Sequence, residues 1–274
     1  MLVLSYAAPR NVALLAEYFG DAADLVVHYD RKLGPAGDLP RPPRVHVIPS
    51  RAVFWGGWSM VESMIDLLRA ARAHTDADRF ALISDDSAPL LPIQALHDRL
   101  AEPVDRIWSD ANVPAQIAAR YRNFHYFDHV ATSARHVDPR ERIVDDELVA
   151  TIAQAAELRR RGKRPVALRH GPQWWSLTRK TVDQVLAQHD ADAWLRQSFQ
   201  FSAIPDEMYV HTLSGRDAHE AFMFVDWNQP EKPTTFRTMD EIRRADPRGS
   251  LFVRKVDATS PPIAELMRTG RFAN

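Results

Sequence analysis

Short apolar runs alternate with amphipathic stretches along the first hundred residues. Leu2-Val3-Leu4-Ser5-Tyr6 has the length of a buried strand. Pro9 and Asn11 then open a helical period of Val12, Leu15, Ala16 and Phe19 that stops at Gly20. Residues 24–29 (DLVVHY) read as a second strand and Val45-His46-Val47-Ile48 as a third. Ser59 and Glu62 have capping-box spacing for a helix over Met60 to His74. Phe80 to Ser84 is a fourth strand, Gln94 to Leu100 a helix, and Val104 to Trp108 a fifth strand. Strands and helices alternating at this spacing predict an α/β fold, a mostly parallel sheet flanked by helices. The site of such a sheet lies at the carboxyl ends of its strands.

The second half is less periodic. Residues 110–145 are polar and aromatic and read as a long loop region. Helices are expected over Asp146 to Arg161 and Thr178 to His189. Phe222 to Val225 and Leu251 to Val253 have the character of strands, with a capping box at Thr238 and Glu241 between them. Pro205 disfavours helix at Ile204 and suits a first helical turn, so Asp206 and Glu207 are expected at a helix start. No repeat or long linker divides the chain, so residues 1–274 are expected to form a single domain.

Composition removes several classes of function. The net charge is -1, which supplies no overall field to recruit nucleic acid or an anionic membrane. The absence of cysteine excludes disulfides and thiolate chemistry. No apolar run reaches the ~18 residues of a membrane span. Met1 leads straight into the first apolar run without a basic segment, so no signal peptide is expected. These features fit a soluble, cytoplasmic protein.

The candidate chemistry sits at the predicted strand ends. His28-Tyr29-Asp30 and Ser84-Asp85-Asp86 place acids where neighbouring strands finish, where they can hold a ribose, a base or a sugar hydroxyl. Turn chemistry explains a single such acid equally well. His28 with Asp30 offers too few ligands for a metal site. Trp55-Gly56-Gly57-Trp58 permits close backbone approach but lacks a phosphate-loop lysine and spacing. Gln173-Trp174-Trp175 combines an amide with aromatic faces, suited to a sugar or to a core. Arg254-Lys255 ends an apolar strand and can neutralise a diphosphate. The Arg159 to Arg164 cluster at a helix C-terminus reads as a solvated face.

Six segments in order, VHYDRK (27–32), FWGGWSMVESMIDLL (54–68), FALISDDSAPL (80–90), HGPQWWSLTRKTVDQVL (170–186), IPDEMYVHTL (204–213) and FVRKVD (252–257), resemble the core-2/I-branching β-1,6-N-acetylglucosaminyltransferases and the related peptide O-xylosyltransferases. The resemblance implies a single GT-A domain, Rossmann-like, and inverting transfer from a UDP-sugar without a metal. It implies Glu207 as general base, and Arg254 and Lys255 on the leaving diphosphate. It puts Asp30 near the uridine, Asp86 near the donor sugar, and Trp174 and Trp175 near the donor–acceptor region. His28, Trp55, Gly56 and Asp85 join the expected nucleotide-sugar set, and Asp206 and Gln173 the acceptor set. Asp85 stands where a neutral residue is common in the family, so Asp85-Asp86 is also a place for a divalent ion. The membrane anchor and cysteines of the animal enzymes are missing, which implies a soluble bacterial-type member.

The expected partners are therefore a UDP-sugar, N-acetylglucosamine before xylose, and a glycan or glycoconjugate acceptor. A glycoside hydrolase using Asp206 or Glu207 with Asp86, or a non-catalytic glycan-binding module, stays open at this point.

Overall fold

The apolar runs become strands buried on both faces, and for that reason they read as continuous rather than alternating. In the computed structural model, which describes residues 1–34, 36–39, 42–128, 146–227, 232–247 and 249–272, β1 (Leu2–Ser5) lies between β2 (Leu25–Tyr29) and β4 (Arg79–Ser84). Leu2 is in register with Val26 on one side and Leu82 on the other, and both pairings are parallel. β3 (Val45–Val47) extends the parallel part beyond β2. On the other flank β7 (Trp175–Thr178) pairs antiparallel with β4, β6 (Arg106–Ser109) antiparallel with β7, and β8 (Ala218–His219) antiparallel with β6. The sheet order is β3-β2-β1-β4-β7-β6-β8. β3, β2, β1, β4 and β6 thus run one way and only β7 and β8 oppose them.

A second sheet is set against the strand ends. β5 (Ser87–Pro89) follows β4 after Asp85-Asp86, and pairs antiparallel with β10 (Phe252–Arg254). β10 is flanked on its other side by β9 (Met223–Val225). This pairing puts Arg254 opposite Ser87, which carries it to the acids at the end of β4.

The helices are α1 (Pro9–Phe19), α2 (Trp58–His74), α3 (Ile93–Ala101), α4 (Ala115–Arg122), α5 (Asp146–Arg161), α6 (Arg179–Ala191), α7 (Ala193–Gln200), α8 (Tyr209–Ser214), α9 (Met239–Ala245) and α10 (Pro261–Thr269). One hydrophobic core spans both sheets. A separate small cluster, Ala155, Leu158 and Phe201 with Phe124, Tyr126 and Trp194 around it, fastens α5 to the body.

Several expectations change. Ser59 and Glu62 do not form a capping box: α2 begins at Trp58 after Gly57, without a cap from its own chain start. Instead the Asp128 carboxylate accepts from the Ser59 N–H (3.2 Å) and hydroxyl (2.6 Å), while Glu62 turns to Arg51 (2.8 Å). A carboxylate at a helix N-terminus meets the free N–H groups and the dipole wherever in the chain it originates. The Thr238–Glu241 box is present. β6 starts at Arg106, two residues later than the pattern suggested, because Arg106 and Ile107 are buried whereas Val104 is exposed. The expected loop over 110–145 contains α4, and its part from 129 to 145 lies outside the described residues. Pro205 opens a single 3-10 turn, Pro205–Glu207, and α8 begins only at Tyr209.

Candidate active site

The carboxyl ends of β1 and β4 and the end of β10 meet in a nest of acids, hydroxyls and cations, buried at Ser84, Asp86 and Arg254 and open to solvent at Tyr6 and Lys255. Asp86 is its centre. Its Oδ2 accepts from the Tyr6 hydroxyl (2.6 Å) and its Oδ1 from the Ser84 hydroxyl. Arg254 donates to Tyr6 Oη (2.6 Å) and to Ser84 Oγ (3.1 Å), and reaches Asp86 Oδ1 at 3.4 Å. Lys255 Nζ stands 4.0 Å from Asp86 Oδ2. The Arg254 guanidinium lies over the Trp174 ring at 4.4 Å, and Lys255 over the Tyr6 ring at 5.5 Å. Burial and the Asp86 charge push the Tyr6 phenol above its ordinary range. Tyr6 therefore stays protonated and can donate to Asp86 while it accepts from Arg254.

Asp85 faces the other way. One oxygen accepts from the Ser5 hydroxyl (2.9 Å) and the Ala7 and Ala8 N–H groups (3.0 and 3.3 Å), tying the β1–α1 turn to β4. The other is buried without a hydrogen-bond partner. Burial, with the neighbouring Asp86 charge second, raises its carboxyl to about 6. Lys255 is the cation with spare capacity: its side chain is 34% exposed and Asp86 is its one ion-pair partner among the described residues. Burial lowers its ammonium, partly countered by Asp86.

Glu207 is delivered by strained backbone. Ile204 adopts the left-handed conformation at φ 49°, unfavourable for a β-branched residue. It is held there by its N–H donating to the Gly56 carbonyl at 2.9 Å, and by Pro205, which disfavours the right-handed helical region before it. The Glu207 carbonyl then accepts from the Gly171 N–H (3.0 Å). Gly171 has no room for a Cβ, which would sit 1.8 Å from the Trp108 carbonyl oxygen. Trp174, under Arg254, is three residues further on, a span of at most ~10 Å of chain. Residues 171–174 therefore connect the Glu207 turn to the cation pair. The Glu207 side chain is 37% exposed and pairs with Arg120 at 2.8 Å.

The remaining expected residues divide by exposure. Trp55 is open to solvent at 62%, edge-on to Phe127. Gly56 and Gly57 do permit close approach, but by protein: Gly56 bonds Ile204, and a Cβ on Gly57 would stand 2.2 Å from an Asp128 oxygen. Asp30 accepts from Lys32 (2.6 Å) and from the Val53 N–H (3.3 Å) at the end of β2. His28 is buried and accepts the Arg51 N–H on Nε2 (3.1 Å), which holds the segment after β3 to β2. Burial lowers its imidazole. Trp175 is fully buried in β7 and belongs to the core. Gln173 is buried beside Met64. Asp206 is buried under the turn with one oxygen unpartnered. Burial, then the Glu207 charge, raises it to about 7.

Sequence reasoning missed Tyr6, Ser84 and Arg120. Tyr6 and Ser84 sit at ends of strands that were recognised, so the position was visible although the role was not. Arg120 lies 87 residues from its partner, and no local pattern marks such a pair.

Among the described residues no cluster of three or more His, Asp or Glu side chains is arranged to hold a metal ion, and no helix is long and apolar enough to cross a membrane. A cavity of about 870 Å³ opens at the opposite, amino ends of the strands, between Phe19, Phe80 and Leu96, and contains none of the residues above.

No curated protein matches the chain. The family model for the Core-2/I-branching enzyme matches residues 27–248. That match takes in the Trp55 loop, Asp85-Asp86, the Trp174 segment and the Glu207 turn, and leaves β1 and the Arg254 strand outside. By that extent the chain belongs to the Core-2/I-branching enzyme family of glycosyltransferases.

Proposed function

We propose that the protein is an inverting glycosyltransferase that moves a sugar, N-acetylglucosamine first among candidates, from a UDP-sugar to an acceptor hydroxyl. The acceptor oxygen attacks C1 of the donor sugar on the face opposite UDP. The bond between C1 and the diphosphate oxygen breaks, and its electron pair leaves with UDP. Glu207 takes the acceptor proton, the role of a positioned general base. The half-exposed carboxylate suits that role.

Arg254 and Lys255 meet the negative charge that grows on the leaving diphosphate. Cations fixed before the reaction begins stabilise such charge without reorganising during it. Arg254 is fixed in this sense by Tyr6, Ser84, Asp86 and the Trp174 face. Lys255 brings donors not consumed within the protein. This cation pair at the strand ends is the observation that carries the reading. Asp86 is already met by two hydroxyls and two cations, a carboxylate better suited to ordering Arg254 than to ligating an ion. The proposal therefore assigns leaving-group stabilisation to the cations and none to a divalent metal.

A hydrolytic reading needs two working carboxylates. Asp206 is buried and Asp86 is engaged with Arg254, so neither is as well placed as a partner for Glu207. Glu207→Gln tests the transfer reading: turnover should fall by ~10²–10⁴-fold with UDP affinity kept. A near-normal rate in that variant removes Glu207 from the mechanism.

A further inference from the structure

Behind the Glu207 turn the charge balance is the reverse of that at the strand ends. Lys163 lies just beyond α5. Its ammonium donates to the carbonyls of Tyr121 (2.5 Å), Asn123 (2.9 Å) and Phe201 (3.1 Å), and lies over the Phe124 ring at 4.8 Å. None of these partners is an acid. Arg159 lies over the same ring, its guanidinium 4.8 Å from the Phe124 centroid. Arg122 makes one weak bond, to the Ala115 carbonyl at 3.4 Å. Arg164 alone has a carboxylate, Asp192 at 2.5 Å.

Among the described residues these four cations line a cavity of about 530 Å³ whose walls include Tyr121 and Phe124 but no Asp or Glu. That volume is in the range of small-ligand sites. Among the described residues Arg122, Arg159 and Lys163 have no carboxylate within ion-pair distance. Burying one of them without a counter-ion is costly: burial lowers the Lys163 ammonium to about 7. Aromatic faces beside guanidinium forks suit a charged sugar, since rings take the apolar sugar face and Arg binds carboxylate, sulfate or phosphate bidentately.

The cavity and the base lie on different sides of α4: Arg120 pairs with Glu207, and Arg122, two residues on, points into the cavity wall. Phe201, whose carbonyl Lys163 holds, begins the segment that ends at Glu207. We propose that this cavity binds the anionic group of an acidic glycan acceptor, a sugar bearing carboxylate, sulfate or phosphate, and so anchors that acceptor across α4 from Glu207. The identity of the ligand as an acceptor rests on the transferase reading; the binding of an anionic sugar does not.

The test uses the full chain, with a heparin disaccharide and its desulfated counterpart titrated by calorimetry at matched ionic strength. The sulfated sugar should bind about tenfold tighter or better, because each charge-assisted hydrogen bond is worth that order. The double variant Arg122→Gln, Arg159→Gln should lose that preference while UDP binding stays as in the parent. Equal affinity for the two sugars, no binding of either, or a preference that survives the double variant overturns the proposal. Phosphatidylglycerol vesicles serve as a third ligand, and binding to them without binding to the sulfated sugar also overturns it. If UDP fails to bind while the sulfated sugar binds through Arg122 and Arg159, the anion site stands and the transferase reading falls.

Discussion

The two flanks of the Glu207 turn are built on opposite principles. On the strand side, Asp85, Asp86, Arg254 and Ser84 are buried with the half-exposed Tyr6 closing over them, and nearly every polar atom is answered from within the protein. On the side of α4 and α5, a small satellite core supports several cations with one acid among them. A saturated network holds one geometry and suits a leaving group common to every turnover. A cationic wall on a small core leaves its charge for a ligand to complete. Arg120 and the Glu207 turn stand between the two.

Arg254→Ala puts the largest strain on this comparison. It leaves Asp86 buried without its guanidinium, which should cost ~3–5 kcal/mol in urea unfolding and abolish measurable UDP binding. Arg159→Ala on the cationic side should stay within ~0.5 kcal/mol, as exposed substitutions do. Similar losses at the two positions would erase the distinction.

Glycines give the next contrast. Gly171→Ala forces a Cβ into the Trp108 carbonyl and should cost several kcal/mol, on the order of an overpacked core. Gly162→Ala on the cationic side meets nothing within 4 Å and pays only for its φ of 84°, about 1 kcal/mol. Thermal unfolding of the two variants decides the order.

A smaller effect sharpens the role of the turn between the walls. The Asp206 carboxyl is raised to about 7 in the folded chain, chiefly by burial, from an ordinary value of 3.8. Between those values the folded state holds a proton that the unfolded state has lost, so stability falls as pH rises from about 4 to 7 and levels off above. Asp85 adds a fall that ends at about 6. Asp206→Asn removes the larger contribution, so its melting temperature should gain on the parent as pH rises toward 7 and hold that gain to pH 8. A difference independent of pH would deny the buried, proton-holding carboxyl.

The parallel half of the fold was legible because β1, β2 and β4 are buried on both faces and announce themselves as unbroken apolar runs. β7 was hidden because Trp174 and Trp175 read as aromatic faces before a helix, whereas Trp175 is a core residue of an antiparallel strand. Strand ends located Asp30, Asp85 and Asp86 without showing that Asp85 anchors the β1–α1 turn. The Ser59–Glu62 spacing misled because a more distant acid, Asp128, outcompetes a local cap. Lys163 and its neighbours looked like a solvated helix end, since no sequence pattern reveals that Phe124 and Phe201 fold back beneath them.

The measurement that reaches the central claim is calorimetric titration of UDP in EDTA and again in manganese, with the parent chain and with Lys255→Ala. The account predicts saturable UDP binding in EDTA, little changed by manganese and weakened about tenfold or more in the variant, the scale of a lost charge-assisted contact. Binding that requires manganese and ignores Lys255, or no binding of UDP at all, would contradict it.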